Sequence, residues 1–399
     1  MKVLIKFIIL NVIICNFVFG QGFGSFGSVD AKNVSMAGTN AISARGVYAI
    51  GVNPANLALE QGHKIEISTV LPFPNLNFSA GNDFFSLNDY QYYFTGVKDG
   101  SGNLIGRYLD AAEKNKFLGL FDQGSSINTN FGTTLLSASF YPSKDLGAFA
   151  FSIQDITSAN VSLPKQIFEL FLFGNESEKV FDLKDLDIKS WYLRNYTLSF
   201  AKDLSKYFPD AFKSFTAGLT VKMVHGYFYA GVEEISTTLE TKSNYNILVN
   251  GNSKMLVASS PDFGIKHDFE DDEIERNSNI GLFNKPAGTG FGVDLGFHSE
   301  LNKSWSIAFA LTDLGSINWK EGTVEYTSNA SYLLEDVTDK GLADSLTNAI
   351  SGEGQYTSSF STSLATAMKI GVGFQVDKFL KGNFPGKLFI GFNYHQGFN

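Results

Sequence analysis

The stretch Gly290-Phe291-Gly292-Val293-Asp294-Leu295-Gly296-Phe297-His298 decides how this chain folds. Phe291, Val293, Leu295 and Phe297 occupy every second position, and small or polar residues fill the gaps. Successive side chains of a strand point to opposite faces, so this segment has one apolar face and one small or polar face. The same period recurs in Phe149–Ile153, Phe215–Met223, Trp305–Leu311, Ile370–Val376 and Leu388–Tyr394. A water-soluble sandwich also alternates, but its outer face usually gathers long charged side chains. Here the second face carries Gly, Ala, Ser and Thr, which suits a crowded or water-filled lumen. With their flanking residues these segments run to about 9–11 residues, the length of a tilted membrane-crossing strand. The pattern therefore predicts an all-β protein, an antiparallel transmembrane β-barrel, with a secreted soluble β-protein as the rival.

Composition agrees. Of 399 residues, 39 are Gly and 38 Phe, and only 18% are charged, against about 25% in an ordinary soluble domain. An apolar share of 44% excludes disorder. A net charge of −9 repels phosphate backbones, so no nucleic-acid partner is expected. Residues 1–20 read as a signal peptide. Lys2 and Lys6 precede the apolar run Phe7–Phe19, and Val18 and Gly20 are small residues placed for cleavage before Gln21. The single cysteine, Cys15, lies inside that signal, which removes disulfides and thiolate chemistry from the expected mature chain.

Nine crossings are expected, near Lys64–Ala80, Thr134–Tyr141, Gly147–Gln154, Trp191–Ala201, Phe215–His225, Gly290–His298, Trp305–Thr312, Lys369–Asp377 and Lys387–His395. Short polar links alternate with long excursions, the asymmetry of barrels with short periplasmic turns and long outer loops. Helical spacing in the excursions predicts loop helices within Leu104–Leu118 and Tyr332–Ile350. An odd count of crossings leaves an unpaired edge, so the chain is expected to be incomplete at its C-terminus, with first and last strands not bonded to each other.

Nothing in the chain points to catalysis, and neither a cofactor nor a metal is expected. Gly22, Gly24 and Gly27 match a dinucleotide fingerprint but follow a cleavage site instead of a strand. Gly382–Lys387 falls one spacer short of a phosphate loop. The five histidines show no ligand spacing. The acidic cluster Asp268, Glu270, Asp271, Asp272, Glu273 and Glu275 lacks the spacing of a calcium loop and reads as a solvated outer loop.

Residues 21–62 precede the first strand, and Val34–Leu59 is rich in Ala, Gly, Ser and Asn, with a tight Asn53-Pro54-Ala55 turn. Such a segment fits a narrow space, so residues 21–62 are expected to plug a barrel formed by 63–399. The run Ala37 to Ala58, with Asn53, Pro54, Ala55 and Leu57, resembles the N-terminal hatch of the FadL/TodX/PorV barrel superfamily. Lys144–Phe149, Phe173–Glu176, Gly290–Gly296 and Thr312–Ser316 resemble an uncharacterised family of Bacteroidota outer-membrane proteins. The resemblance implies about 14 strands around the plug, and either uptake of a small hydrophobic molecule or a PorV-like accessory role with type IX secretion partners. A monomer in outer-membrane lipid is expected. Phe291, Val293, Leu295, Phe297, Trp305, Ile307 and Phe309 should face lipid. The lumen-facing candidates are Lys222, Asp294, His298 and Gln375, with Gly292, Gly296, Ser306 and Ala308 on the same face.

Overall fold

The computed structural model describes residues 39–334 and 352–398, apart from 61, 72–74, 123, 175, 270–272, 277–280, 282, 330 and 381–383. The signal segment 1–20, Cys15 and the Gly22–Gly27 motif lie outside the described residues, as do 335–351 of the second expected loop helix.

The protein is an antiparallel all-β structure built on one large sheet. Its strands are β1 (Ile65–Thr69), β2 (Asn75–Asn82), β3 (Ser126–Ser143), β4 (Gly147–Ser162), β5 (Asp187–Asp203), β6 (Ser214–Ile235), β7 (Gly288–Glu300), β8 (Trp305–Trp319), β9 (Ala367–Gln375) and β10 (Phe389–Gly397). β1 and β2 both pair with β3 and occupy one position, and each later strand pairs with the next. The nine expected crossings thus reappear as nine positions in the sheet. β1 ends at Thr69 and β2 begins at Asn75, and the sequence between them carries Pro72 and Pro74, residues that cannot donate to a ladder. The sheet is not closed: among the described residues β10 pairs only with β9.

The two faces of this sheet are inverted relative to a soluble protein. On one face Phe149, Phe200, Leu219, Val221, Phe291, Leu295, Phe297, Trp305, Ile307 and Phe309 are all exposed. Val293, expected with them, is half-buried. On the other face Ser152, Thr197, Ser199, Thr220, Lys222, Asp294 and His298 are buried. Hydroxyl pairs join neighbouring strands there, such as Ser152 to Thr197 at 2.9 Å and Ser199 to Thr220 at 2.7 Å. Buried polar groups tolerate an interior only when bonded, and these pairs meet that need for the four hydroxyls.

At the long-loop end the sheet is extended. Ser253–Ser259 pairs with the outer half of β6, and Thr323–Ser328 and Glu353–Tyr356 follow beside it. A separate four-stranded sheet joins Ser331–Leu334, Ile247–Asn250, Thr238–Thr241 and Val180–Asp182. Its core of Phe181, Leu183, Leu239, Ile247 and Val249 is closed by Leu170.

The loop helices differ from the sequence reading. Leu104–Ile105 pairs with Val97–Lys98 as a short ribbon, and the helix there is α2 (Ala111–Leu118). It starts late because Asp110 caps it, accepting from Glu113 N at 2.9 Å. Helix α1 (Leu87–Phe94), capped reciprocally by Ser86 and Asp89, and α3 (Lys165–Phe173), opened by Pro164, were not foreseen. Ser331–Leu334, which overlaps the start of the second expected helix region, is a strand. No helix among the described residues is long and apolar enough to cross a membrane.

Candidate functional site on the polar inner face

The segment 39–60 lies against the polar face of the sheet. It is built from two short 3₁₀ turns, Gly46–Ala49 and Pro54–Ala58. Asn53, Pro54, Ala55 and Leu57, the residues of the hatch motif, are all buried. Asn53 acts twice. Its carbonyl oxygen accepts from Ala55 N at 3.1 Å, capping the turn, and its amide donates to Phe297 O of β7 at 3.1 Å. The apolar side of the segment, Ile50, Val52 and Leu57, packs on Ala148, Ala150 and Ala201 of the wall. Small residues on both partners let the backbones approach closely.

The segment also reports the curvature of the sheet. Val47 N donates to Glu66 of β1 at 3.0 Å, and Ala41 N donates to Asn393 of β10 at 3.1 Å. Nine strand positions laid flat would span about 38 Å. Residues 41 and 47 can be at most about 21 Å apart. The sheet therefore wraps round the segment and brings its two edges toward each other.

Glycines set where this contact forms. Gly218 of β6 and Gly296 of β7 are register partners. A Cβ on Gly296 would lie 2.1 Å from Asn53 Oδ1, and one on Gly218 would lie 2.4 Å from the Pro54 carbonyl carbon. The Asn53-Pro54 turn sits on this bare pair.

Further along the same face lies a buried ion cluster. Lys222 Nζ is 2.8 Å from Asp294 Oδ1 and also bonds the Asp313 carboxylate. Asp313 comes inward through a β-bulge: Thr312 and Asp313 together oppose Asp294 in the β7–β8 register. Asp313 takes a left-handed φ of 59°, and its N–H donates to Asp294 Oδ1 at 2.8 Å. The Asp294 carboxylate thus holds both the bulge and the lysine. Lys369 Nζ donates to Gly51 O at 2.8 Å, which ties β9 to the segment.

Beyond the cluster the face turns aromatic. A cavity of about 340 Å³ is lined by Trp191, Leu193, Tyr229, Ile317, Trp319 and Leu364, with Lys189 and Glu233 among its charged residues. Tyr229 Oη donates to Glu233 at 2.7 Å, and Trp319 Nε1 donates to Thr362 at 2.9 Å, so both polar handles are satisfied. Trp319 is fully buried and lies across a second glycine pair, Gly226 and Gly288. A Cβ on Gly226 would meet its ring at 2.3 Å.

Two bulges aim these rings. Up to Gly226 the even-numbered residues of β6 face inward; Tyr227 is then an extra residue against β5, and Tyr229 turns in. On β8 the even positions Ala308 and Ala310 face inward until the Asp313 bulge, after which Ile317 and Trp319 do. One inserted residue flips every later side chain to the other face.

The expected lumen-facing residues separate into groups. Lys222 and Asp294 join in the ion cluster. His298 is buried near the short-turn end. Gln375 is half-buried at the rim, its amide bonded to the Asp377 carboxylate, and does not reach the cluster. Trp191, Tyr229, Trp319 and Asp313 were missed. The sequence offered one signal: two of its three tryptophans, Trp191 and Trp319, line one cavity. Of the acidic cluster, Glu270, Asp271 and Asp272 lie outside the described residues, and the flanking members sit on a hairpin of Ile265–Asp268 with Glu273–Arg276. Among the described residues no group of three His, Cys, Asp or Glu is placed to hold a metal ion.

Comparison with curated proteins and with solved structures gives no match. A family model does match, over residues 58–399, and it covers the whole wall together with the end of the Pro54–Ala58 turn. The chain belongs to DUF5723, a family of unknown function.

Proposed function

We propose that this chain forms the wall of an outer-membrane β-barrel, plugged by the segment before β1, and that the aromatic cavity takes up a small hydrophobic molecule. The observation that supports the membrane reading is the exposed apolar face. Water would leave rows of Phe, Leu and Ile unburied, whereas hydrocarbon is their proper solvent. On β6 that face runs from Phe215 to Met223, eight residue steps or about 27 Å along the strand. At a tilt of about 40° this is roughly 20 Å of depth, near the ~25 Å apolar band of such barrels. Closure of the wall needs hydrogen-bonding partners for the outer edges of β1, β2 and β10.

The cavity supports the uptake reading. It is concave and joins an aromatic and aliphatic side to a polar one of Lys189, Glu233 and Ser361–Ser363, so a hydrophobic molecule would find both contact area and fixed polar groups. It opens on the same face as the plug, with the Lys222 cluster between. The mechanism is binding and diffusion along the inner face, with no covalent step.

The test is a titration of the full chain in detergent micelles with N-phenyl-1-naphthylamine, following energy transfer from tryptophan. Saturable transfer that falls at least tenfold in affinity in Trp319→Ala is expected. No saturable transfer, or transfer unchanged by Trp319→Ala, would sink the uptake reading. Migration that shifts on boiling, from a membrane fraction, tests the barrel separately.

A second reading is an accessory protein that docks secretion or surface-assembly components. It draws on the apolar patch of the long-loop region, where Leu87, Phe94, Leu104, Tyr108 and Phe171 are exposed. Capture of secretion components from a membrane extract, lost when Leu87 and Phe94 become serine, would favour it over uptake.

A further inference from the structure

The short-turn end of the inner face holds a second cavity that the uptake reading does not use. It has a volume of about 250 Å³ and lies between residues 42–45 of the N-terminal segment and the adjoining ends of β7, β8, β9 and β10. Its lining includes Ser43, Arg45, His298, Lys303, Gln375 and Lys378.

The charge here runs against the rest of the protein. The chain as a whole is acidic, at −9, yet three cations border this cavity against a single acid, Glu300. Glu300 is already engaged by Lys213. Lys303 and Lys378 make no ion pair among the described residues. Arg45 spends one guanidinium nitrogen on the carbonyls of Ile42 and Ala44, at 2.9 and 2.7 Å, and makes no ion pair there either.

A second observation is independent of charge. Ser43 Oγ and His298 Nδ1 are buried and have no hydrogen-bond partner in the structure. Buried polar atoms are bonded in the large majority of cases, and an orphan asks for an explanation. Both orphans belong to residues that line this one cavity.

Apart from Glu300, which Lys213 engages, every side chain named here can donate. Arg and Lys only donate, a serine hydroxyl donates, and an imidazole donates from whichever nitrogen carries the proton. The complement of such a set is a group that only accepts and is negatively charged. We propose that this cavity binds the oxyanion end of a small molecule, a carboxylate or a phosphate. The volume is below the ~300 Å³ at which drug-sized pockets begin, so it suits a headgroup or a small acid.

The same chemistry could arrive on a free solute or on an anionic lipid, and the experiment separates these. The full chain in micelles is titrated by calorimetry with inorganic phosphate, with sodium acetate, and with micelles doped with phosphatidylglycerol or phosphatidylcholine. The expected result is saturable heat with at least one anionic probe and none with phosphatidylcholine. A response to phosphate or acetate assigns a free solute, and a response to phosphatidylglycerol alone assigns a lipid. Lys303 and Lys378 are exposed, so the double variant Lys303→Gln, Lys378→Gln should fold normally and bind about tenfold more weakly. Ser43→Ala removes a hydroxyl that bonds nothing and should weaken binding several-fold with unchanged melting. Arg45 is left alone because it holds the turn of the segment. No saturable heat with any anionic probe, an equal response to phosphatidylcholine, or binding that both variants leave unchanged would each overturn the proposal.

Discussion

Two glycine pairs on the β6–β7 seam do the same mechanical work with opposite partners. Gly218 and Gly296 let the Asn53-Pro54 turn lie flat on the wall. Gly226 and Gly288, eight residues further along β6, let the Trp319 ring do so. The first pair holds a backbone segment from far away in sequence, and the second holds a side chain from the adjoining strand. A strand glycine is a cost unless another atom needs the space of its side chain, and here both pairs are filled. The sheet is therefore shaped at two places, once for segment 39–60 and once for a cavity floor, with the Lys222 cluster between.

The largest expected effect comes from the middle and should break both seats. Lys222→Ala would leave Asp294 and Asp313 buried without their cation, at a cost of about 3–5 kcal/mol. Thermal unfolding in detergent, followed by far-ultraviolet circular dichroism, should show a large drop in midpoint. A midpoint within a degree of the parent would mean that the cluster is solvated and structurally idle.

The next pair separates the seats. Gly296→Ala and Gly226→Ala should each cost about 1–3 kcal/mol through overpacking. Gly296→Ala should expose residues 39–60 to limited proteolysis and leave tryptophan fluorescence unchanged. Gly226→Ala should shift the fluorescence and leave the segment protected. If both variants gave the same signature, the two pairs would be one cooperative unit.

A smaller effect sharpens the upper seat alone. Tyr229→Phe loses the hydrogen bond to Glu233, worth about 1–2 kcal/mol, and should weaken hydrophobic-probe binding while the segment stays protected. The smallest lies in the long-loop region. Burial holds the His267 imidazole below its usual 6.5, so the unfolded region binds a proton more readily than the folded one. That contribution is complete above pH 6.5 and fades as pH falls through the folded value. The opening free energy of Ile265–Asp268, read from hydrogen exchange corrected for the pH dependence of the intrinsic rate, should fall on acidification, with segment 39–60 unaffected; an equal fall in both would contradict this.

The lower seat was legible in the sequence and the upper one was not, for one reason. Strand position and facing follow from period two, and Phe291 to His298 keeps that period without a break, so Asp294 and His298 share the buried face of β7. Asn53-Pro54-Ala55 was visible as a turn in a small-residue segment. Tyr229 and Trp319 lie beyond a bulge, where counting by twos from Leu219 or Trp305 puts them on the wrong face. The sequence reading ends its crossings at His225 and Thr312, just short of both bulges. It took a change of phase for the end of a strand. Gln375 erred differently: its parity is right, but it stands at the last residue of β9, where a side chain meets a turn instead of the interior.

The bond from Ala41 to Asn393 spans 352 residues of sequence. It has a consequence for the order in which this protein can be made. Contacts so distant form late, because the loop they close is almost the whole chain. Residue 41 thus leaves the ribosome well before the strand that tethers it, which follows only after 352 further residues. Until then the sheet has nothing to fix its girth, and the segment is a free arm long enough to be trapped outside. A helper that holds the polypeptide unfolded would solve both problems at once, by letting the arm lie in place before the sheet bends round it.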